Sequence, residues 1–361
     1  MRKRIGNFTS LFCLLIIYSP GWGLADTKTL PTNTWIVMQP GRAHHRLPGT
    51  RGWYQASYDP VFRETVIFGG SASTYMSDTW TYSFDDNLWS LRRSHPDLQG
   101  PCRRDMQNLL YDPRDKVHWL FNGIAYDNMQ PGCAGFMTHA GIWTYDRAEN
   151  TWTKMHLPGE HLRLAPGMAY NTDTHTFLEF GGSKTNPTNT TYLFDIATKT
   201  WRQLRPPVAP APRLDIENGL VYDKAHHVFV LFGGKGPFGD TWLFDPSTET
   251  WREVTPPISP PARDIHAMVY DDANQVVLLF GGRDTQGNLL NDTWIYDVKT
   301  NVWTQLTQVG TPPAMAHHSA VYDPLHGVVI VVPGIGTADT LVFKYRPGAA
   351  LSQHISLPTG R

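Results

Sequence analysis

The sequence predicts an all-β protein in which six similar four-stranded sheets are arranged as a propeller. Three observations lead to this prediction. One set of short motifs recurs six times, each recurrence contains several short apolar segments bounded by turns, and the closing motif that the last recurrence lacks appears at the start of the chain. The chain has 361 residues and is 41% hydrophobic, so it can bury a large core.

The balance of charge limits the classes of partner. The chain carries 31 Lys and Arg residues against 32 Asp and Glu residues, which gives a formal net charge of −1. A nucleic-acid binder normally needs a basic surplus to neutralise phosphates. The composition therefore argues against a nucleic-acid partner.

The first 25 residues have the layout of a secretory signal. Basic residues at positions 2–4 precede an apolar run over residues 8–18, Pro20 and Gly21 break that run, and small residues lead to Ala25. We predict cleavage after Ala25 and a secreted or periplasmic protein with no stable membrane insertion afterwards. The apolar run is short for a membrane span, and a retained N-terminal anchor is the alternative.

The repeat unit contains a Tyr-Asp pair, an apolar strand ending in Phe-Gly-Gly, an Asp-Thr-Trp motif and a closing Trp. The Tyr residues are spaced by 53, 59, 52, 48 and 52 residues, and they are Tyr58, Tyr111, Tyr170, Tyr222, Tyr270 and Tyr322. The closing residues are Trp89, Trp152, Trp201, Trp251 and Trp303. A period near fifty with four short strands is typical of kelch propellers. The chain resembles the kelch-repeat family over essentially all of its predicted mature length.

The kelch resemblance implies strands a to d in each blade, ordered from the propeller axis outward. In the fourth repeat, period-2 patterning predicts these strands over residues 217–222, 228–232, 241–244 and 251–254. The recurring Trp of strand d is predicted to be a core residue, and the Asp of Asp-Thr-Trp a structural one.

The sixth repeat has no Trp after Tyr345, whereas Trp35 near the amino end matches the other closing residues. We therefore predict that the start of the chain supplies strand d of the last blade. Closure of the ring removes exposed sheet edges. The predicted organisation is a single propeller domain over residues 26–346, after the signal peptide (1–25), with a tail over 347–361.

Alternating strand direction places the d–a connections and the b–c loops on one face. Long loops around a central opening commonly bind ligands, so the site is predicted on this face. Cys102 and Cys133 both emerge there in the second blade, and export would permit them to form a disulfide. Two free thiols are the alternative.

An arginine recurs at the entrance to strand a in five blades, as Arg51, Arg104, Arg163, Arg213 and Arg263. These side chains, with His266 and His318, are the candidate ligand-binding residues. A ring of guanidinium groups at the channel mouth would suit a carboxylate, a sugar acid or an acidic peptide. The alternative is structural pairing with the neighbouring acidic residues Asp105, Asp215, Glu217 and Asp264.

Cofactor chemistry finds little support in the sequence. Kelch propellers include copper-radical oxidases of the galactose oxidase kind, but the Tyr-His dipeptide that those enzymes need is absent here. A metal site from His139, His266, His317 and His318 is conceivable, although adjacent residues on a strand point to opposite faces. We predict no cofactor and no metal.

The function that the resemblance implies is a binding module for a glycan, an anionic small molecule such as a sugar acid, or a protein or peptide partner. The alternative is a carbohydrate-active enzyme similar to exported sialic-acid epimerases (mutarotases). In that case Glu217, Asp264, His266 and His318 are the acid/base candidates, and Arg213 and Arg263 would hold a carboxylate. The sequence leaves both open.

Overall fold

A computed structural model describes residues 30–39, 47–94, 99–127, 133, 135–137, 141–157, 163–183, 186–236, 238–307, 310 and 312–348. The predicted signal peptide and the tail beyond residue 348 lie outside the described residues. Within the described part of the chain, no helix is long and apolar enough to cross a membrane.

Six antiparallel sheets form the six blades, which confirms the predicted all-β propeller. The six strands a contact one another in a closed circuit around the axis. From a to d, the strands of blade 1 are Ser57–Asp59, Glu64–Phe68, Thr79–Ser83 and Leu88–Arg93. Those of blade 2 are Arg104–Asp112, Val117–Asp127, Ile142–Asp146 and Thr151–Met155. Those of blade 3 are Gly167–Asn171, Thr176–Phe180, Thr191–Asp195 and Thr200–Leu204.

The second half of the ring repeats this plan. The strands of blade 4 are Leu220–Asp223, Val228–Phe232, Thr241–Asp245 and Thr250–Val254. Those of blade 5 are Ala267–Asp271, Val276–Phe280, Thr293–Asp297 and Val302–Gln305. Those of blade 6 are Ser319–Asp323, Val328–Val332, Thr340–Phe343 and Trp35–Met38. Three short strands lie outside this plan, namely Gly135–Met137, Arg263–Asp264 and Arg283–Asp284.

The amino end of the chain closes the ring as predicted. Strand Trp35–Met38 pairs antiparallel with Thr340–Phe343, and Trp35 lies opposite Phe343. The Asn33 amide also donates to the carbonyl of Arg346 at 2.9 Å. The last blade is therefore a complete four-stranded sheet made from both ends of the propeller.

The Trp of strand d joins each blade to the preceding one. Its indole nitrogen donates to the Thr hydroxyl of the preceding blade's Asp-Thr-Trp position in five blades, through the pairs Trp35–Thr293, Trp89–Thr340, Trp152–Thr79, Trp251–Thr191 and Trp303–Thr241. The corresponding residue of blade 2 is Ile142, which has no hydroxyl. The recurring Trp is therefore a packing residue between blades.

The double glycine permits a close approach between neighbouring blades. Gly233 has a φ of +69°, and a Cβ there would lie 2.6 Å from the carbonyl oxygen of Arg263 in the next blade. The next residue, Gly234, donates its N–H to that same oxygen at 3.0 Å. A side chain at Gly233 would force these two backbones apart.

Strand a of blade 4 begins later than predicted, at Leu220 rather than at residue 217. Arg213 lies nine residues before Tyr222, whereas the corresponding interval is seven in the other arginine-bearing blades. The extra residues form a turn around Glu217 and Asn218, in which the Gly219 N–H donates to the carbonyl of Ile216. This turn replaces the start of the strand and projects into the central channel.

Candidate functional site

The recurring arginines are buried in the blades. In three blades the guanidinium forms a bidentate pair with the Asp of the same blade's Asp-Thr-Trp motif, and these pairs are Arg51–Asp78, Arg213–Asp240 and Arg263–Asp292. The indole of the Trp two residues later donates to the same carboxylate, at 2.7 Å for Trp294 on Asp292. The first motif residue is thus the counter-ion of the arginine.

Blades 2 and 3 lack this Asp, and their arginines have other hydrogen-bond partners. Arg104 donates to the carbonyl oxygens of Cys102, Asn122 and Gly141, and burial lowers its pKa to about 9. Arg163 donates to the Thr188 hydroxyl at 2.9 Å and lies 3.6 Å from the Glu179 carboxylate.

These contacts change the interpretation of the arginine ring. None of the five recurring arginines forms an ion pair in the structure with Asp105, Asp215, Glu217 or Asp264, the counter-ions that the sequence suggested. The guanidinium groups are instead engaged inside their own blades. Anion binding by the five arginines stays a prediction that these contacts do not favour.

The two candidate histidines lie between blades. His266 packs against Gly233 and His318 against Gly281, the first glycine of the preceding blade's pair. His318 Nε2 lies 3.2 Å from the carbonyl of Phe280, and burial lowers the pKa of His318 to about 3. Burial also holds the pKa of His266 well below its usual value, so both rings are neutral at physiological pH.

No group of three or more His, Cys, Asp or Glu side chains is placed to hold a metal ion among the described residues. His139 of the conceivable metal set lies outside those residues. His317 packs on Trp53, with ring centroids 3.8 Å apart. Of the residues named for the epimerase alternative, both histidines are buried and both arginines are paired with Asp240 and Asp292, so these contacts do not favour it.

A belt of left-handed residues surrounds the channel, and sequence reasoning missed it. The second residue after the recurring Arg or Met position has a φ between 50° and 58° in every blade, at Trp53, Met106, Ala165, Asp215, Ile265 and His317. Several are joined from blade to blade, since the N–H of Met106 donates to Trp53 and that of His317 to Ile265. Six different residue types occupy this position, and none of them is glycine. No repeated residue type therefore indicates the left-handed conformation in the sequence.

Polar side chains cross the channel at the level of the blade 4 turn. The Asn218 amide donates to the carbonyls of Tyr54 and His318 at 3.1 and 3.3 Å, and the Ser319 hydroxyl donates to its oxygen. Asn108 reaches from blade 2 to the carbonyl of Glu217 at 3.5 Å. We call Asn108, Glu217 and Asn218 the plug, because their contacts cross the channel. The upper part of the channel is the part towards the d–a connections and b–c loops, and the lower part is the part towards the a–b turns.

The upper part of the channel is acidic. Asp105, Asp215, Glu217 and Asp264 are all buried there. Burial raises the pKa of Asp105 to about 6 and also raises that of Asp215. Burial and the charge of Asp215 hold the pKa of Glu217 well above its usual value. The sequence had predicted a basic mouth, and the side chains that converge there are carboxyls.

A cleft of about 560 Å³ opens beside this cluster, between the b–c loops of blades 4 and 5. Its lining includes Gly236, Asp264 and Arg283. Arg283 donates two hydrogen bonds of 3.1 and 2.8 Å to the Asp264 carboxylate, and Lys235 Nζ lies 3.7 Å from Asp215. The lower part of the channel is a funnel of about 230 Å³ whose lining includes Met168, Tyr222 and Tyr270.

The predicted disulfide between Cys102 and Cys133 is present, with Cα atoms 5.8 Å apart. It joins the d–a connection that enters blade 2 to that blade's long b–c insertion. Strand b of this blade is extended to Asp127 and pairs there with the additional strand Gly135–Met137.

Residues 219–342, which form blades 4 and 5 and most of blade 6, match the family model of the KLHDC2/KLHL20/DRC7 Kelch-repeats domain. No curated protein matches the chain. The chain is a six-bladed β-propeller that contains a kelch-repeat domain.

Proposed function

We propose that this propeller is a protein-interaction module that binds its partner on the face formed by the d–a connections and the b–c loops. One observation carries the proposal. Val208 and Ile258 are 55% and 63% exposed in the d–a connections that enter blades 4 and 5. Exposed aliphatic side chains at matching positions of adjacent blades are suited to contact another protein.

The two connections match closely in sequence and burial. Residues 206–210 read Pro-Pro-Val-Ala-Pro, and residues 256–260 read Pro-Pro-Ile-Ser-Pro, and in both only the last Pro is buried while the second and third residues are exposed. Proline restricts the backbone, so little conformational entropy is lost when a partner binds. The two loops therefore present preorganised apolar contacts.

A protein partner suits these contacts better than the sugar acid or glycan predicted from the arginines. The arginines that would hold a carboxylate are buried and paired with Asp240 and Asp292 in blades 4 and 5. The predicted signal peptide would place this interaction outside the cell or in the periplasm.

The test uses a photo-crosslinking amino acid at position 258 in the purified protein, incubated with extracellular or periplasmic extract of its own organism. We expect a discrete adduct that unlabelled wild-type protein suppresses and a Val208→Asp/Ile258→Asp variant does not. Position 325 is the matched control, because Leu325 is 55% exposed in an a–b turn on the opposite face. Equal adducts from positions 258 and 325 would contradict the proposed face.

A further inference from the structure

We propose that the acidic upper part of the channel binds a cationic side chain, arginine or lysine, of the protein partner. This inference rests on the proposed function, since it specifies the chemistry of the partner at the same face. It gives a role to buried carboxyl groups that the arginine ring does not neutralise.

Three of the four carboxyl groups of this cluster each carry an oxygen with no hydrogen-bond partner among the described residues. These atoms are Asp105 Oδ1, Asp215 Oδ1 and Glu217 Oε1. The three residues are only 5%, 5% and 4% exposed. A buried acceptor without a donor costs stability, so a cationic donor at this place would be strongly favoured.

Among the described residues, the cations beside Asp215 and Asp264 are engaged elsewhere or only weakly paired. Arg283 is engaged with Asp264, and the recurring arginines of blades 4 and 5 are engaged with Asp240 and Asp292. Lys235 approaches Asp215 only to 3.7 Å, and its side chain is 60% exposed. A partner cation can therefore replace Lys235 without breaking a strong ion pair.

The carboxyl groups are held in place before any ligand arrives. Asp215 lies in the belt with a φ of 58°, and the carbonyl of Glu217 is bonded to Asn108 in the plug. The strained backbone and converging like charges cost stability in the free protein. Such costs are characteristic of sites preorganised for a ligand.

The open side of the cluster adjoins the loops proposed to contact the partner, because Asp264 lines the cleft and the exposed Lys235 side chain approaches Asp215. The connection that carries Val208 continues into Arg213 and Asp215, and the one that carries Ile258 continues into Arg263 and Asp264. The cleft of about 560 Å³ opens between the b–c loops of the same two blades. A partner segment seated on the apolar tips thus lies beside the mouth, where one long cationic side chain can enter.

The test measures the charge preference of the full propeller. The probes are ethylguanidinium with its neutral counterpart ethylurea, and a peptide array in which each arginine peptide is paired with the same peptide containing citrulline. We expect ethylguanidinium to raise the melting temperature where ethylurea does not. We also expect arginine peptides to bind at least about tenfold more tightly than their citrulline counterparts.

Three variants assign the preference to the cluster. Glu217→Gln and Asp215→Asn should lose the preference for arginine while melting at or above the wild-type temperature, since each removes a carboxyl group whose charged form is disfavoured by burial. Lys235→Ala should strengthen arginine binding severalfold by removing the competing ammonium. Asp245→Asn makes the same change in blade 4 on the opposite face and should leave the preference intact.

Equal binding of arginine and citrulline peptides, a preference that survives both carboxyl variants, or no binding of any cationic probe would overturn the inference. A preference for acidic peptides that Lys235→Ala removes would overturn it too. Peptides that bind without charge preference and are lost in the Val208→Asp/Ile258→Asp variant would leave the proposed function standing. The cross-linking experiment tests the proposed protein-interaction function independently.

Discussion

The indole nitrogen of Trp35 donates a 2.9 Å hydrogen bond to the hydroxyl of Thr293, across 258 residues of sequence. The same contact joins four other pairs of blades at 2.8 to 3.0 Å. The Trp35 ring also packs on Phe280 and Phe343, with centroids 4.4 and 4.8 Å away. The place where the two ends of the propeller meet is therefore built like an ordinary contact between blades.

Replacing Trp35 with Ala should lower the free energy of unfolding by about 3–5 kcal/mol, because the change opens a cavity in the core. Thr293→Val keeps the shape and removes only the acceptor, so its expected cost is about 1 kcal/mol. Urea unfolding of both variants measures these differences. Wild-type stability in the Trp35→Ala variant would show that the amino-terminal strand is dispensable.

Replacing Asp292 with Ala should destabilise the protein by about 3–5 kcal/mol, since Arg263 would remain buried without its counter-ion. Blade 6 carries Met315 at the arginine position, so Met is a tolerated residue there. The double variant Arg263→Met/Asp292→Ala should therefore lose less than the sum of the single changes Arg263→Met and Asp292→Ala, which a double-mutant cycle measures. Weakened binding of an anionic ligand in Arg263→Met, without a loss of stability, would instead favour an anion-binding arginine.

The glycine pair allows a matched comparison. Gly233 and Gly287 both have positive φ, at +69° and +89°, but a Cβ at Gly287 has no atom within 4 Å. Gly287→Ala should cost about 1 kcal/mol from backbone conformation alone. Gly233→Ala should cost clearly more, because the new methyl meets the Arg263 carbonyl. Equal melting temperatures for the two variants would remove the explanation given for the double glycine.

The stability of the protein should depend on pH through Asp105. Burial raises the pKa of folded Asp105 from 3.8 to about 6, so the folded chain holds this proton at a pH where the unfolded chain releases it. This group therefore makes the wild type less stable as pH rises from about 4 to about 6, with no further change above.

Asp105→Asn removes this cost, so its stability advantage over wild type should grow from pH 4 to pH 6 and then level off. Urea unfolding at several pH values measures the difference. A constant advantage over this range would show that the Asp105 carboxyl titrates normally.

The disulfide should stabilise the propeller. It joins residues 31 positions apart, and closing such a loop contributes about 3.7 kcal/mol in the chain-entropy description. The variant Cys102→Ser/Cys133→Ser should lose an amount of this order in chemical denaturation. Intact mass should rise by about two daltons on reduction of the wild type and stay constant for the variant.

The sequence by itself determined the blade count, the closing strand and the facing of the loops. These features follow from motifs that repeat along the chain, so most blades carry the same local contacts with small variations. Trp35 was identifiable because it matched the other closing residues. Cys102 and Cys133 could be paired because strand direction placed both on one face.

Only the tertiary structure decided the character of the channel. Arg263 pairs with Asp292, 29 residues later, rather than with its sequence neighbour Asp264, because the entrance to strand a lies beside the start of strand c. The belt, the plug and the acidic cluster are built from single residues of different blades that meet across the axis. The belt position recurs in every blade without a shared residue type, and the plug and the acidic cluster form only when the ring closes, so the motifs of a single blade do not predict them.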